Sequence, residues 1–243
     1  WFVFENVYGL TKFKNGEENI QNHIENRFRD IGYTVKSKIL YASDFGVPQR
    51  RNRLFIVGNR NGIDFEFPKE FDYSVSVDEA ISDLPVLGNG EIQMKGEYTV
   101  PFEQASPYAQ LMRKKSKAPT QNIVSRNKDY VVERYKYIGQ GENWSSIPDR
   151  LMENYADKKR CHSGIYKRLI GGKPSVVISN YRKSMLIHPH QDRGLSVREA
   201  ARLQSFPDHF IFEGPVSYVQ QQIGNAVPPL LAKAVMKKIL TYK

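Results

Sequence analysis

The chain opens with the apolar run Trp1-Phe2-Val3-Phe4, which ends abruptly in the more polar tripeptide Glu5-Asn6-Val7. A short apolar run without alternation favours a strand that is covered on both faces, as in a parallel sheet. In sheets of this kind, ligands bind beyond the carboxyl ends of the strands. The stretch therefore predicts an α/β sheet with an acidic side chain at its ligand-binding edge.

The segments that follow alternate between helix and strand. Residues Asn15–Ile31 have helical periodicity, and Gly32 is placed to end that helix. Two strands are predicted after it, Val35–Tyr41 and Arg53–Val57. The order strand, helix, strand is typical of an α/β sheet. The predicted apolar stripe of the helix comprises Ile20, Ile24, Phe28 and Ile31.

The middle of the chain differs in composition from its two ends. From about Pro68 to Arg193 the periodic signals weaken, and Pro, Gly, Lys and Tyr become common. One capped helix is predicted there, because Ser76-Val77-Asp78-Glu79 has the spacing of a capping box. We interpret this stretch as a second, irregular domain.

The end of the chain returns to helical patterns. The spacing Ser196-Val197-Arg198-Glu199 predicts a second capped helix, and Pro228-Pro229 predicts the start of a last one. The last helix is expected to bury one face, formed by Leu231, Ala234, Val235 and Ile239. We therefore expect residues 1–67 in a sheet domain, 68–193 in the irregular domain, and 194–243 as helices that close back onto the first.

Charge and composition limit the functions that the chain can have. The 243 residues contain 36 Lys and Arg against 26 Asp and Glu, a formal net charge of +10. This excess favours a nucleic-acid partner, although basic loops that only face solvent are an alternative. Cys161 is the single cysteine, which excludes a disulfide framework and a zinc site of several thiolates. The apolar runs are too short to cross a bilayer.

Three motifs carry candidate chemical groups, and each has a simpler alternative. Burial at a strand end would raise the pKa of Glu5 and let it donate a proton, but an exposed loop acid fits the same residue. Gln49, Arg51 and Arg53 lie two apart and would share one face of a strand, for phosphate or base recognition or as a charged edge. The polar segment Gln222–Pro229 suits a small-molecule loop or an ordinary helix cap.

Taken in order and spacing, these motifs resemble one family closely: the 5-cytosine DNA methyltransferases, mostly bacterial modification enzymes. The resemblance covers both ends of the chain. The matching blocks are Glu5-Asn6-Val7, Ser43–Arg53, Asp192–Pro207 and Gly224-Asn225-Ala226-Val227-Pro228-Pro229.

The resemblance implies a fold, a reaction and a cofactor. The fold would be the C-terminal half of a doubly wound, Rossmann-like methyltransferase sheet plus a small α+β target-recognition domain. The reaction would transfer a methyl group from S-adenosylmethionine to C5 of a cytosine flipped out of duplex DNA, as in bacterial cytoplasmic restriction-modification systems. Glu5 would contact N3 and the exocyclic amine, and Arg51 and Arg53 would hold the base carbonyl and a nearby phosphate. Asn225 and Ala226 would touch the cofactor.

Two motifs of that family lie upstream of its glutamate motif, namely a glycine-rich cofactor turn and a Pro-Cys-Gln nucleophile. This sequence contains neither, and the basic, irregular context of Cys161 favours an ordinary cysteine over a substitute nucleophile. We therefore expect the chain alone to be inactive. It would be a fragment, as the opening Trp1 suggests, or one subunit of a split enzyme whose other half is its partner. A non-catalytic DNA-binding specificity subunit is the alternative.

The middle region corresponds in position to the part of the family that reads DNA bases. Arg and Lys are the usual contacts to guanine and phosphate, so the basic residues of this region are the candidate readers. His188, His190 and Asp192 lack the spacing of a metal site, and no metal is expected. The candidate DNA contacts are Arg126, Arg134, Lys136, Arg160, His162, Lys167, Arg168, Arg182 and Lys183.

Overall fold

The computed structural model describes residues 1–15, 18–153, 163–183 and 185–242. These residues form two compact units. The first unit comprises Trp1–Gly46, Arg50–Ser74 and Leu230–Lys243, and the second comprises Val47–Gln49 and Val75–Pro229. Within the described residues, no helix combines the length and the apolar character that a membrane span requires.

The first unit is built on a three-stranded sheet of β1 (Phe2–Val7), β4 (Thr34–Tyr41) and β5 (Asn52–Asn59). The strand order is β1-β5-β4, and β5 is antiparallel to both neighbours. β1 and β4 therefore run in the same direction, as the alternation predicts, but β5 turns back and inserts between them. The expectation of parallel neighbours was wrong for this reason.

Burial in this sheet follows strand position. β5 is central and is buried along most of its length, whereas β1 is only half-buried. The opening apolar run was expected to be covered on both faces, and this was wrong for β1. The strand that is covered on both faces is β5. A strand bonded on both sides gives all its backbone groups to the ladder, and it is best able to be dry on both faces.

Helix α1 (Ile20–Asp30) precedes β4 and is shorter than the predicted Asn15–Ile31. Two short strands, β2 (Lys14–Asn15) and β3 (Glu18–Asn19), occupy the residues before it. The Asn19 side chain accepts a hydrogen bond from the amide of Gln21 at 2.8 Å and so sets the first turn. Gly32 follows with a φ of +87°, as expected for a residue that ends a helix. Ile31 is exposed, so the apolar stripe stops before it.

The last helix, α7 (Pro229–Leu240), lies almost entirely in the first unit. Its start at the Pro pair is confirmed, and Leu231 and Val235 of the predicted face are fully buried. An aromatic cluster closes this unit, since the Phe65 ring lies 5.8 Å from the rings of both Trp1 and Tyr242.

The second unit consists of short helices around a two-stranded ribbon. The ribbon pairs β6 (Ile92–Lys95) with β7 (Thr120–Ile123) in antiparallel fashion. Both predicted capping boxes are present, at the starts of α2 and α5. Three further helices have weak sequence signals and were not predicted. In chain order the helices are α2 (Val77–Ile81), α3 (Pro107–Arg113), α4 (Asp129–Tyr135), α5 (Val197–Leu203) and α6 (Val216–Asn225).

The bounds of the units differ from the predicted domains at the C-terminal side. Residues 194–229, predicted to close back onto the sheet domain, belong to the second unit with α5 and α6. The reason is a set of buried arginines on and before α5 that bind distant main-chain groups of this unit. Arg193 donates to the carbonyl of Leu87 at 2.9 Å, and Arg198 donates to the carbonyls of Thr120 and Phe210, each at 2.9 Å.

The same set includes two buried ion-pair systems. Arg193 binds Glu199 through both terminal nitrogens, at 2.9 and 2.7 Å. Arg202, which is fully buried, binds Asp208 at 2.6 and 2.7 Å and Asp83 at 2.8 Å. Forked guanidinium–carboxylate bonds of this kind satisfy both partners, which is what burial of charge requires. Arg198 and Arg202 thus give the segment Arg198–Pro207 a structural role.

His188 packs beside this network and gives the second unit a dependence on pH. Burial lowers the pKa of His188 from 6.5 to about 4, despite Glu199, whose carboxylate lies 3.7 Å from the His188 ring. A buried neutral histidine binds fewer protons than an unfolded one between these two values. The contribution of neutral His188 to the free energy of unfolding is therefore fully present above about pH 6.5, and it is lost as the pH drops toward 4.

We expect the free energy of unfolding to lose roughly 3 kcal/mol through His188 as the pH falls through this window. His188→Gln removes the titrating group, so its stability should change less with pH than that of the wild type. Chemical denaturation at a series of pH values measures this. The exposed His209→Gln is the matched control and should keep the wild-type profile. Identical profiles for His188→Gln and the wild type would contradict the prediction.

Candidate active site

The strand register brings Glu5 and Arg53 together on one face of the first unit's sheet. Glu5 lies opposite Phe55 and Arg53 lies opposite Val7, so the two side chains are diagonal neighbours on the same face. Nε of Arg53 lies 2.7 Å from Oε1 of Glu5, and Nη1 of Arg53 donates to the carbonyl of Asn52 at 2.9 Å. The predicted acid and guanidinium therefore form a direct ion pair.

This pair is mostly withdrawn from water. The Glu5 side chain is 24% exposed and that of Arg53 is 10% exposed. Burial raises the pKa of the Glu5 carboxyl, and the charge of Arg53 offsets only part of that rise. Burial also lowers the pKa of the Arg53 guanidinium, with Glu5 acting in the opposite sense. A carboxyl with a raised pKa can hold a proton at a higher pH than an exposed glutamate and can then donate it.

Gln49 and Arg51 were predicted to share one strand face with Arg53, but both lie before the strand begins. Strand β5 begins only at Asn52, and the alternation rule applies only within a strand. Arg51 is fully buried, and its carbonyl accepts from the amide of Ala42 at 2.7 Å. Gln49 belongs to the second unit, where its side chain accepts from the amide of Ile178 at 3.0 Å and donates to Gln204. Gln49 thus has a structural role there.

Of the two residues predicted to touch a cofactor, Asn225 is the last residue of α6 and Ala226 begins the non-helical segment after it, so the expectation of a loop holds for Ala226 and is corrected for Asn225. Gly224 and Asn225 are the last residues of α6, and Ala226 follows. A Cβ at Gly224 would lie 2.0 Å from the carbonyl oxygen of Ser179, so the close backbone approach expected of this glycine is confirmed. The Asn225 side chain is exposed.

The backbone of Ala226 is fully used within the second unit. Its amide donates to the carbonyl of Gln222 at 3.1 Å, and its carbonyl accepts from Gln204 at 2.7 Å. Gln204 also donates to the carbonyl of Ile223 at 3.0 Å. Ala226 therefore fixes the path of the chain after α6, and it offers a ligand only its methyl group.

Two of the nine candidate DNA contacts are buried and structural, which corrects the prediction for them. Arg134 donates to the carbonyl of Leu151 at 2.7 Å and to the hydroxyl of Tyr166 at 2.8 Å. Arg168 binds four main-chain carbonyls and pairs with Asp192 at 2.5 Å. Guanidiniums committed in this way inside the protein have no free edge with which to read a base.

The remaining candidates differ in how available they are. Arg126, Arg182 and Lys183 are exposed. Lys136 is exposed and pairs with Glu133 at 2.7 Å, a contact that water weakens strongly. Nζ of Lys167 donates to the carbonyl of Gly141. Arg160, His162 and the single cysteine, Cys161, lie outside the described residues.

The histidines considered for metal binding have other partners. Nε2 of His190 lies 2.8 Å from Oδ1 of Asp78, while Asp192 pairs with Arg168. In the part of the chain that the structure covers, no three His, Cys, Asp or Glu side chains are grouped as metal ligands.

Sequence comparison identifies the family of this chain. Residues 1–241 match the C-5 cytosine-specific DNA methylase family, and the chain belongs to it. Type II methyltransferase M1.HphI of Haemophilus parahaemolyticus is 34% identical over 242 residues, which cover 99% of this chain and 56% of that protein. M.DdeI of Desulfomicrobium norvegicum is 33% identical, over 100% of this chain and 63% of that protein. The chain thus spans somewhat under two thirds of these relatives.

Solved structures support the fold. A DNA modification methyltransferase encoded within an Escherichia coli prophage superposes with a TM-score of 0.69 at 23% identity, over 99% of this chain and 68% of that one. Entamoeba histolytica methyltransferase EhMeth gives a TM-score of 0.54 at 12% identity, over 99% of this chain and 62% of that one. The predicted α/β methyltransferase fold is confirmed at this level.

Proposed function

We propose that this chain is the C-terminal portion of a DNA (cytosine-5)-methyltransferase that methylates a flipped cytosine in duplex DNA. The observation that carries the proposal is the largely buried Glu5–Arg53 ion pair, in which Nε and Oε1 are 2.7 Å apart. It occurs in a chain that belongs to the C-5 cytosine-specific family. Its Type II relatives further support a role in restriction-modification.

The chemistry requires control of charge on the cytosine ring. When a nucleophile adds to C6, negative charge develops toward N3, and a proton held there lowers the barrier. Glu5, with its raised pKa, is the group that holds this proton and accepts from the exocyclic amine. Arg53 keeps the Glu5 carboxyl in place and presents a positive charge beside the base carbonyl. Arg51, two residues before Arg53 in the sequence, is fully buried and helps to hold the chain in place next to Arg53.

Flipping the base out of the duplex serves the same purpose. In water, the positive charge of Arg53 would be screened and the pKa of Glu5 would not be raised by burial, so the effect of the pair on the transition state would be small. A base enclosed against this weakly exposed pair is surrounded by fixed charges instead of water. The largely buried setting of the pair therefore contributes to the reaction by excluding water.

The cofactor of the proposed reaction is S-adenosylmethionine, which supplies the methyl group on a sulfonium. The residues predicted for it fit only in part. The exposed carboxamide of Asn225 offers both donor and acceptor to the charged amino and carboxylate groups of a methionine. Ala226 holds the shape of the segment, because both of its backbone groups are already bonded. Asn225 is thus the cofactor contact that we propose for this chain.

The nucleophilic cysteine is proposed to come from outside these 243 residues. The sequence has no Pro-Cys-Gln, and its Cys161 stands between Arg160 and His162 in the middle region. The partner is then the N-terminal half of the enzyme, in the same polypeptide or as a separate subunit. Duplex DNA is the substrate, and Arg126, Lys136, Arg182 and Lys183 are the exposed candidate contacts to it.

Transfer of a tritiated methyl group to duplex DNA tests this proposal. We expect the purified 243-residue chain to give no incorporation above a Glu5→Ala control, because it lacks the proposed nucleophile. Adding the upstream half of the enzyme, fused or as a separate subunit, should restore transfer, and bisulfite sequencing should locate it at cytosine C5. Turnover by the 243-residue chain alone, or a complete enzyme that methylates adenine, would refute the proposal.

A further inference from the structure

A basic surface cavity in the second unit is not explained by the methylation chemistry. It has a volume of about 620 Å³ and lies beside the β6–β7 ribbon and α3. Its lining contains three cationic side chains, Lys95, Arg113 and Lys117, against one acidic side chain, Glu97. The lining therefore carries an excess of two positive charges, which favours an anionic occupant.

Arg113 is the central group of this cavity, and it has hydrogen-bonding capacity to spare. The residue is 7% exposed. Its Nη1 donates to the carbonyl of Val100 at 3.1 Å and lies 3.3 Å from Oδ2 of Asp83. Nε is buried and has no acceptor among the described residues, and Nη2 makes no hydrogen bond to them. Nε is enclosed and cannot reach a ligand in the cavity, so Nη2 is the nitrogen of this guanidinium that is left to donate to an oxyanion there.

The Arg113 guanidinium is held rigidly in this position. Its central carbon lies 3.8 Å from the centre of the Tyr98 ring. The Tyr98 hydroxyl in turn donates to Asp208 at 2.6 Å, which fixes the ring. Asp83, the carboxylate that pairs with Arg113, also binds Arg202 at 2.8 Å. The charge of Arg113 is thus only partly neutralised, and its Nη2 group is preorganised for a ligand.

We infer that this cavity is a phosphate-binding site, in which Arg113 donates to a phosphate oxygen through Nη2 and Lys95 and Lys117 add charge from the rim. Phosphate fits because it offers several oxygens to the three cationic side chains and carries the charge that the lining lacks. The phosphate would come from the backbone of duplex DNA or from a free phosphomonoester. The DNA source rests on the proposed function, whereas phosphate binding itself does not.

The test is a titration of the ¹⁵N-labelled 243-residue chain, followed by the NMR signal of the Arg113 Nε–H group. The signal is assigned from its disappearance in Arg113→Lys. Three probes are added separately at low salt: inorganic phosphate, adenosine monophosphate and a short DNA duplex. We expect inorganic phosphate to shift the signal in a saturable manner. No readout involves methyl transfer, so failure here is distinguishable from failure of the proposed function.

Paired variants separate a built site from general positive charge. The double variant Lys95→Ala/Lys117→Ala removes the rim charges without touching the buried network, and it should weaken phosphate binding by about tenfold. The matched control is Lys114→Ala/Lys115→Ala, which removes two exposed lysines of the same segment that do not line the cavity. The control should change phosphate affinity by less than about twofold.

The probes also identify the source of the phosphate. Competition of the duplex with inorganic phosphate at the Arg113 signal supports a DNA backbone contact. A shift with adenosine monophosphate but not with the duplex supports a free phosphomonoester. The inference is overturned if none of the three probes moves the signal, or if the rim and control variants lose phosphate affinity equally.

Discussion

Replacing Glu5 by Gln should reduce methyl transfer by the complete enzyme by about two to three orders of magnitude, with little change in affinity for DNA. Loss of one well-placed group that stabilises developing charge typically costs this much in kcat. Glutamine keeps the size of Glu5 and can still accept a hydrogen bond, but it holds no titratable proton for N3 of the base. The effect should therefore fall on kcat and not on KM for the duplex.

The pH dependence of the rate provides a second readout of the same role. Burial raises the pKa of Glu5, so the protonated carboxyl that donates to the ring is lost as the pH rises through that raised value. The wild-type rate should fall on this alkaline side, and the limb should be absent in Glu5→Gln. The direction follows because only the protonated acid can donate.

A matched control is available in the same unit. Glu70 is paired with Lys38 at 3.0 Å, as Glu5 is paired with Arg53, but it is half exposed. Glu70→Gln should leave the rate within about twofold of the wild type, since exposed ion pairs contribute little. Equal losses in Glu5→Gln and Glu70→Gln would show that the Glu5 carboxyl has no special part in the reaction.

Replacing Arg202 by Met should lower the free energy of unfolding by about 3–5 kcal/mol. Arg202 is fully buried between two carboxylates, those of Asp83 and Asp208. Methionine fills a similar volume but leaves Asp208 without its guanidinium partner in a site that excludes water. The cost is that of an uncompensated buried charge, which exceeds the cost of the lost packing. Denaturant unfolding of the 243-residue chain measures it.

A second variant shows whether charge is the cause. In Arg202→Met/Asp208→Asn the side chain at position 208 is a neutral amide. Its oxygen can still accept a hydrogen bond from Tyr98, whose hydroxyl lies 2.6 Å from Asp208 in the wild type. Asp83 keeps its contact to Arg113. The double variant should therefore be more stable than Arg202→Met. The exposed Arg182→Met should change stability by less than about 0.5 kcal/mol. A double variant less stable than Arg202→Met would contradict the charge explanation.

The sequence alone predicted the elements whose signals are local. The capping boxes at Ser76 and Ser196, the strands around Val35–Tyr41 and Arg53–Val57, and the start of the last helix at Pro228-Pro229 were all expected. These signals depend on residues within one or two turns of each other. Helices α3, α4 and α6 were missed, because no capping box opens them and their stability comes from packing.

The order of the motifs also determined the family, and with it the identity of Glu5 and Arg53 as candidate catalytic groups. The resemblance implied that Glu5 and Arg53 lie close together. Only the order of the strands in the sheet shows how they come together. Arg53 lies on a strand that turns back and inserts between its two predecessors in the fold. An antiparallel insertion is a matter of which strands hydrogen-bond, and spacing in the sequence does not encode it.

The roles of the arginines were decided by tertiary structure alone. In the sequence, Arg126, Arg134, Arg168 and Arg182 are equivalent basic residues of one region, and all were candidates for DNA contact. The fold buries Arg134 and Arg168 among main-chain carbonyls and leaves Arg126 and Arg182 exposed. A guanidinium binds DNA or holds a core together according to the acceptors that surround it. Those acceptors come from distant positions, as with Arg193 and the carbonyl of Leu87, and they become neighbours only when the chain has folded.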